Sequence, residues 1–226
     1  MVKIGTEYGG WHIPDNIFLN DNSTIISAGV GEDISFDIGI QSLYNCTIFL
    51  IDPTERSYIH YTECKEYYKN KEFVLSGNIQ SDYYKNIQKY NPNFDKIKYI
   101  DVGLWNKKDS MKFYKQSNKS YVSQSLINGM FTTDYTIVNV DTLNNIMQQN
   151  NITHIDLFKL DIEGAEISVI NNMLDNEIYP SVLCIEFDLM LKNKDTNNTT
   201  YKTIERLMEN NYSIFKNDNW NITFVR

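Results

Sequence analysis

Long apolar runs, prolines and cysteines are all scarce in this chain of 226 residues. No stretch approaches the ~18–20 apolar residues that a membrane-spanning helix needs. The opening Met1-Val2-Lys3-Ile4-Gly5-Thr6-Glu7 lacks the apolar core of a signal peptide. The three cysteines, Cys46, Cys64 and Cys184, stand singly, with no pair at metal-ligand spacing. Buried reduced thiols and a cytoplasmic setting are therefore expected. Only four prolines occur, Pro14, Pro53, Pro92 and Pro180, all at segment edges where a missing N–H does least harm. No repeat, low-complexity tract or Pro/Gly linker divides the sequence. One domain over 1–226 is expected, with a lead-in over 1–22 and a core over 23–226.

Hydrophobic residues make up 42 % of the chain and aromatics 13 %, enough for a packed interior. The net charge of −8 argues against a nucleic-acid partner. The charge is uneven: residues 65–119 carry 12 of the 21 basic residues and only 6 of the 29 acidic ones. These lysines read first as solvated faces, and more sharply as an attraction for an anionic acceptor.

Short apolar runs alternate with helical patterns. Strands are expected over 23–28, 47–52, 98–102, 155–160 and 182–187, with helices over 33–44, 54–68, 165–174 and 200–210. Leu43 is a candidate inward residue of the first helix. Ser81 is a candidate cap for a helix to Tyr90, and Asp141 for one to Gln149. Residues 111–114 and 135–140 read as strands of an insertion or an edge. Two closing strands, 212–216 and 221–225, are too close for a crossover and must pair antiparallel. The expected fold is α/β: a doubly wound, mostly parallel seven-stranded sheet with a C-terminal antiparallel hairpin.

In such a sheet, ligands bind beyond the carboxyl ends of the strands, where the strand order reverses. The first strand runs into Gly29-Val30-Gly31-Glu32-Asp33, whose glycines allow close backbone approach. Glu32 and Asp33 stand where a dinucleotide site would receive pyrophosphate; they suit a cationic ligand instead. Asp52 ends the second strand, 21 residues after Gly31, where an acid can accept ribose hydroxyls. It also reads as a helix cap ahead of Pro53. Gly103 and Leu104 offer backbone groups to a base edge, and Trp105 a ring face or a core side chain. Lys159-Leu160-Asp161-Ile162-Glu163-Gly164-Ala165-Glu166 closes another strand, and alternation would put Lys159, Asp161 and Glu163 on one side. Glu186 ends the neighbouring strand. Four acids, Asp52, Asp161, Glu163 and Glu186, are thus expected at one rim, which is costly without function. Helix capping and a lysine–acid ion pair are the structural alternative.

Taken together these segments resemble the FkbM-type methyltransferases. Gly29 to Phe36, Asp52-Pro53-Thr54, Gly103 to Asn106, Val140 to Leu143 and above all Lys159 to Glu166 occur in family order. The resemblance implies a class I methyltransferase, Rossmann-like, that uses S-adenosylmethionine and methylates oxygen, often on sugars or polyketides. It further implies that Gly29, Gly31 and Glu32 hold the methionine part, Asp52 the ribose, and Gly103, Leu104 and Trp105 the adenine. Two departures stand out: Ser27 and Gly29-Val30-Gly31 replace the family's more usual Asp and Gly-Ala-Asn, and Asp188 follows Glu186-Phe187 where close members often carry His. Asp161 is the first choice of base, Glu163 the second, and Lys159 an orienting partner. His12, His60 and His154 lie outside the motifs, although His12 in the lead-in could fold over the site. A divalent metal on Asp161 and Glu186 is compatible with the ligand types but not required. The acceptor class is a small molecule or a carbohydrate; the rival enzyme class is a nicotinamide dehydrogenase, and a binding subunit on the same scaffold is the non-catalytic alternative.

Overall fold

The computed structural model describes residues 1–118 and 123–226. Three sheets organise it. The largest has seven strands and is built on β3 (Thr24–Ala28), β4 (Thr47–Ile51), β5 (Ile97–Ile100), β10 (Leu157–Leu160), β11 (Val182–Glu186), β12 (Ser213–Asp218) and β13 (Asn221–Val225). Its order is β12-β13-β11-β10-β3-β4-β5. The five strands from β11 to β5 pair in parallel, while β13 pairs antiparallel with both β11 and β12. The order reverses between β3 and β10, so a crevice opens beyond their carboxyl ends.

The strands are apolar on both faces because helices cover both. One face packs Ile26, Phe49, Phe158, Leu183 and Phe224 under α4 (Leu143–Gln149), α5 (Glu166–Asp175) and α7 (Thr199–Glu209). The other packs Ile25, Ile48, Leu157 and Val182 under α1 (Ser35–Tyr44), α2 (Glu55–Lys69) and α3 (Tyr83–Ile87). The first residues join this second face. β1 (Val2–Ile4) and β2 (Trp11–Ile13) form a hairpin whose Ile4, Trp11 and Ile13 are buried in the core. Each such side chain contributes about 1.5–3 kcal/mol on burial, so the lead-in is a packed element, and Thr223 Oγ1 ties it down by donating to His12 O at 2.8 Å.

A four-stranded sheet of order β6-β9-β7-β8 is inserted between β5 and β10. It consists of β6 (Gly103–Leu104), β7 (Asp109–Lys115), β8 (Gln124–Ser125) and β9 (Tyr135–Asp141). The candidate strands at 111–114 and 135–140 are its long antiparallel pair.

Local chemistry moves several boundaries. Thr54, not Asp52, caps α2, its side chain accepting from Ser57 N. Thr142 likewise caps α4, while Asp141 is the last residue of β9. Ser81 caps nothing: α3 begins after Asp82, which makes no side-chain cap bond either. Leu43 is 55 % exposed on the solvent side of α1. A short helix, α6 (Asp188–Leu191), follows β11 directly.

Candidate active site

An open cleft of about 810 Å³ lies at the order reversal, lined by the turn after β3, the end of β4, β6 and the turn after β10. Gly29, Gly31, Glu32, Asp52, Gly103, Leu104, Lys159, Asp161 and Glu163 all line it. Trp105 does not: its ring packs beside Phe113 and Val140, and its backbone N–H donates to Asp141 O at 2.9 Å. Tyr8 and Gly9 from the β1–β2 hairpin close one side, and Phe113 and Leu126 from the inserted sheet give an apolar wall. Neither contribution is legible locally, because both depend on pairing across long sequence separations.

The glycine turn is shaped by contact rather than by flexibility alone. Gly29 has φ +81°, and a Cβ there would sit 1.6 Å from Asp161 O. Only glycine permits this crossing of the two strand ends. Asp52 holds the turn from below. Its Oδ2 accepts from Val30 N at 2.9 Å and Gly31 N at 3.2 Å, and its Oδ1 from Thr54 N at 2.8 Å and Thr54 Oγ1 at 2.6 Å. Glu32 is bound by Arg56 through two bonds of 3.0 and 2.8 Å and by Asn78 N at 2.9 Å. Asp33 accepts from Thr6 Oγ1 at 2.5 Å and Ser35 N at 2.9 Å, anchoring the hairpin. Burial raises its pKa, and those hydrogen bonds oppose the rise.

Lys159 is 4 % exposed and donates to Gly29 O at 2.7 Å. Its ammonium stands 3.9 Å from Asp161 and its field also favours the charged forms of Asp33, Asp37 and Glu186. Burial lifts Asp37 to about 6 despite this. The Asp161 side chain is 34 % exposed and its carboxylate accepts no hydrogen bond among the described residues; desolvation raises its pKa, Lys159 lowers it and Glu163 raises it further.

Strand alternation does not place Glu163. β10 ends at Leu160, and Glu163 sits in the following turn with φ +58°. Its carboxylate pairs with Lys192, which also pairs with Asp188 on α6. Glu166 Oε1 braces this turn by accepting from Ile162 N at 2.9 Å and Gly164 N at 3.0 Å. Burial drives Glu166 well above the ordinary carboxylate range, and Asp188 adds to the rise. Glu166 Oε2 and Asp188 Oδ2 are both buried without a hydrogen-bond partner among the described residues, and desolvation raises the pKa of each. Glu186 does not line the cleft, but its carboxylate lies beside Asp161 and Asp188. Desolvation, then repulsion from Asp161, Asp188 and Glu163, pushes it up to about 9. One carboxylate oxygen each from Asp161, Glu186 and Asp188 falls within 4.8 Å of the others, a set of hard ligands suited to a divalent cation. The Asp188–Lys192 spacing of four residues, one helical turn, is the sequence signal that the rim reading missed.

None of the described lysines of 65–119 lines the cleft. Several are occupied elsewhere: Lys69 with Glu66, Lys107 with Asp109, Lys112 over Tyr135. The attraction that they were expected to give an anionic acceptor has no counterpart at the site. His60 is buried against Tyr83 and Cys64, His154 is on the surface, and His12 pairs with Asp218 at 3.2 Å. No helix among the described residues is long and apolar enough to cross a membrane.

Two solved structures resemble the chain distantly. The fibrillarin/Nop5p complex matches with a TM-score of 0.44 and 9 % identity, covering 91 % of this chain and 72 % of that one. Precorrin-6y C5,15-methyltransferase from Geobacter metallireducens GS-15 matches with a TM-score of 0.41 and 12 % identity, covering 93 % and 83 %. Likeness at that level carries no argument about residues. No curated protein matches the chain. The family model of the methyltransferase FkbM domain matches residues 14–213, and the chain belongs to that family of methyltransferases.

Proposed function

We propose that this methyltransferase uses S-adenosylmethionine to methylate a hydroxyl group of a neutral sugar within a glycan or its precursor. The observation that carries the reading is Asp161: a desolvated carboxylate, free of hydrogen bonds among the described residues, at the edge of the cleft beside the glycine turn.

The residues present fit S-adenosylmethionine on charge and shape. The ligand is cationic and has no phosphate, and the cleft lining carries Glu32, Asp33, Asp52, Asp161 and Glu163 against Lys159 as its one cation among the described residues. In this reading Gly29, Gly31 and Glu32 hold the methionine part. Asp52 takes the ribose diol in exchange for the Thr54 hydroxyl, which keeps Ser57 Oγ at 2.6 Å as its other partner. Gly103 and Leu104 take the adenine against Phe113 and Leu126. Trp105 supports that wall from behind rather than touching the base.

When bound, S-adenosylmethionine supplies an electrophilic methyl group on a sulfonium. Asp161 accepts the proton that the acceptor hydroxyl gives up. Desolvation strengthens it as a base by raising its pKa. Lys159 keeps the geometry by holding Gly29 O and Asp161 together. Glu163, already paired with Lys192, is the weaker candidate for the proton.

The test has two arms. Calorimetry compares S-adenosylhomocysteine with NAD; saturable binding of the first and none of the second is expected, and tight NAD binding overturns the reading. Tritiated methyl transfer is then followed on a panel of neutral glycans, polyketide-like alcohols, peptides and amines. Methylation confined to peptides or amines sinks the sugar-hydroxyl assignment and leaves the cofactor assignment standing.

A further inference from the structure

A second, open cleft of about 590 Å³ adjoins the first and shares Tyr8 with it. It runs between the β1–β2 hairpin and the β12–β13 hairpin, over the antiparallel end of the main sheet. Its lining is polar: Lys3 and Glu7 from one side, Lys216, Asp218 and Asn221 from the other. Every charge is already matched. Lys3 pairs with Glu7 at 2.6 Å, Lys216 with Asp218 at 2.6 Å, and His12 with the other oxygen of Asp218 at 3.2 Å. An anion entering here meets Glu7 and Asp218, and a cation meets Lys3 and Lys216. A neutral ligand rich in hydroxyls meets donors and acceptors held in fixed places.

Two observations connect this cleft to the chemistry. Asn221 stands directly opposite Glu186 in the β11–β13 pair, so the two side chains share a face of the sheet. The side-chain oxygen of Asn221 is buried and has no hydrogen-bond partner. A buried acceptor left unsatisfied is costly unless a ligand or water supplies the donor. Tyr8 stands at the junction of the two clefts. Its residue is 66 % exposed, leaving much of it open to a ligand, while burial of its hydroxyl, and then Asp161, Glu163 and Glu186, raise its pKa.

We infer that this second cleft is the acceptor subsite and takes a neutral pyranose ring, with Asn221 accepting from a ring hydroxyl, Lys216 and Asp218 engaging its neighbours, and Tyr8 covering the apolar face of the sugar. A ring seated there directs its next hydroxyl past Glu186 toward Asp161. The inference rests on the sugar reading given above and adds the place and the residues that select the acceptor.

The test is nuclear magnetic resonance on the full isotope-labelled chain saturated with S-adenosylhomocysteine. Neutral methyl glycosides, glucosamine and glucose 6-phosphate are titrated separately at millimolar concentration. At least one neutral glycoside should shift the amides of Trp11, Lys216 and Asn221 in a saturable way, with the charged sugars at least tenfold weaker. Asn221→Ala and, as a variant outside the sheet interior, Lys216→Met should each weaken that glycoside at least fivefold and leave the S-adenosylhomocysteine shifts around Gly29 and Gly31 unchanged. No shift with any neutral glycoside, shifts confined to other surfaces, or preference for a charged sugar overturns the subsite. Loss of the shifts around Gly29 and Gly31 with wild-type protein instead overturns the methyl-donor reading, and glycoside binding at Trp11 and Asn221 would still stand.

Discussion

The two halves of the cleft treat their acids in opposite ways. On the β3–β4 side, Asp52 accepts four hydrogen bonds, Glu32 three, and Asp33 two. On the β10–β11 side, Asp161 and Glu186 accept none among the described residues, and Glu163 and Asp188 share the single cation of Lys192. Carboxylates that accept several hydrogen bonds fix backbone shape. On the other side desolvation, and then mutual repulsion, raises the pKa values of Asp161, Glu163, Glu186 and Asp188. In the proposed reaction the first half holds the ligand still, and the second exchanges a proton.

The sharpest way to break this comparison is Asp161→Asn. Losing the proton acceptor should lower methyl transfer by about 10²–10⁴, the usual range for a general base, with S-adenosylhomocysteine affinity unchanged. Full activity in a folded variant, read by tritium transfer, removes Asp161 as base. In the wild-type protein, Asp161 must be ionised to act. Because its pKa is raised, the rate should fall as pH drops through a value above the ordinary 3.8.

Asp52→Ala probes the other half. It strips a charge-assisted acceptor from the glycine turn, and S-adenosylhomocysteine should bind about 1.5–3 kcal/mol more weakly by calorimetry. Unchanged affinity would leave Asp52 only its structural bonds. Thr54→Ala separates those two roles. It removes the α2 cap and should cost about 1 kcal/mol of stability in denaturant unfolding, with little effect on cofactor affinity; an affinity loss as large as that of Asp52→Ala would show that the cap and the ribose site act as one unit.

The smallest expected effect is a pH slope. Glu186 is raised from 4.5 to about 9, so the folded state holds a proton that the unfolded state has released between those values. Its stabilising contribution is complete below 4.5 and is lost as pH rises through about 9. The melting temperature should decline across that window, because unfolding releases the proton that burial beside Asp161, Asp188 and Glu163 keeps on Glu186. Glu186→Gln, which imitates the protonated acid, should flatten the decline. An identical slope in the variant would assign it to the other crowded carboxylates.

The pattern of apolar strands, the glycine turn, the acid after the second strand and the Lys159–Glu166 run were all legible in the chain, because each is set by neighbours within a few residues. The short gap between the last two strands likewise fixed their antiparallel pairing. Cap positions slipped where two suitable residues stood side by side, as at Asp141 and Thr142, since backbone angles choose between them. Leu43 was misplaced because a ten-residue helix has an apolar stripe too short to fix its rotation from sequence alone.

The order of residues was enough to give the family, the main sheet and the places where acids end strands. Which of those acids find partners was left to the folding of distant segments. Asp52 gains Val30 and Gly31 from another strand end, Asp33 gains Thr6 from the first hairpin, and Trp105 turns away to pack against the inserted sheet. Asp161 and Glu186 gain nothing comparable, and Asp188 and Lys192 arrive beside Glu163 only when α6 folds back over the turn. Hydrogen bonds and desolvation depend on atoms brought together from distant segments, so charge state and reactivity were settled by the fold and not by the order of residues.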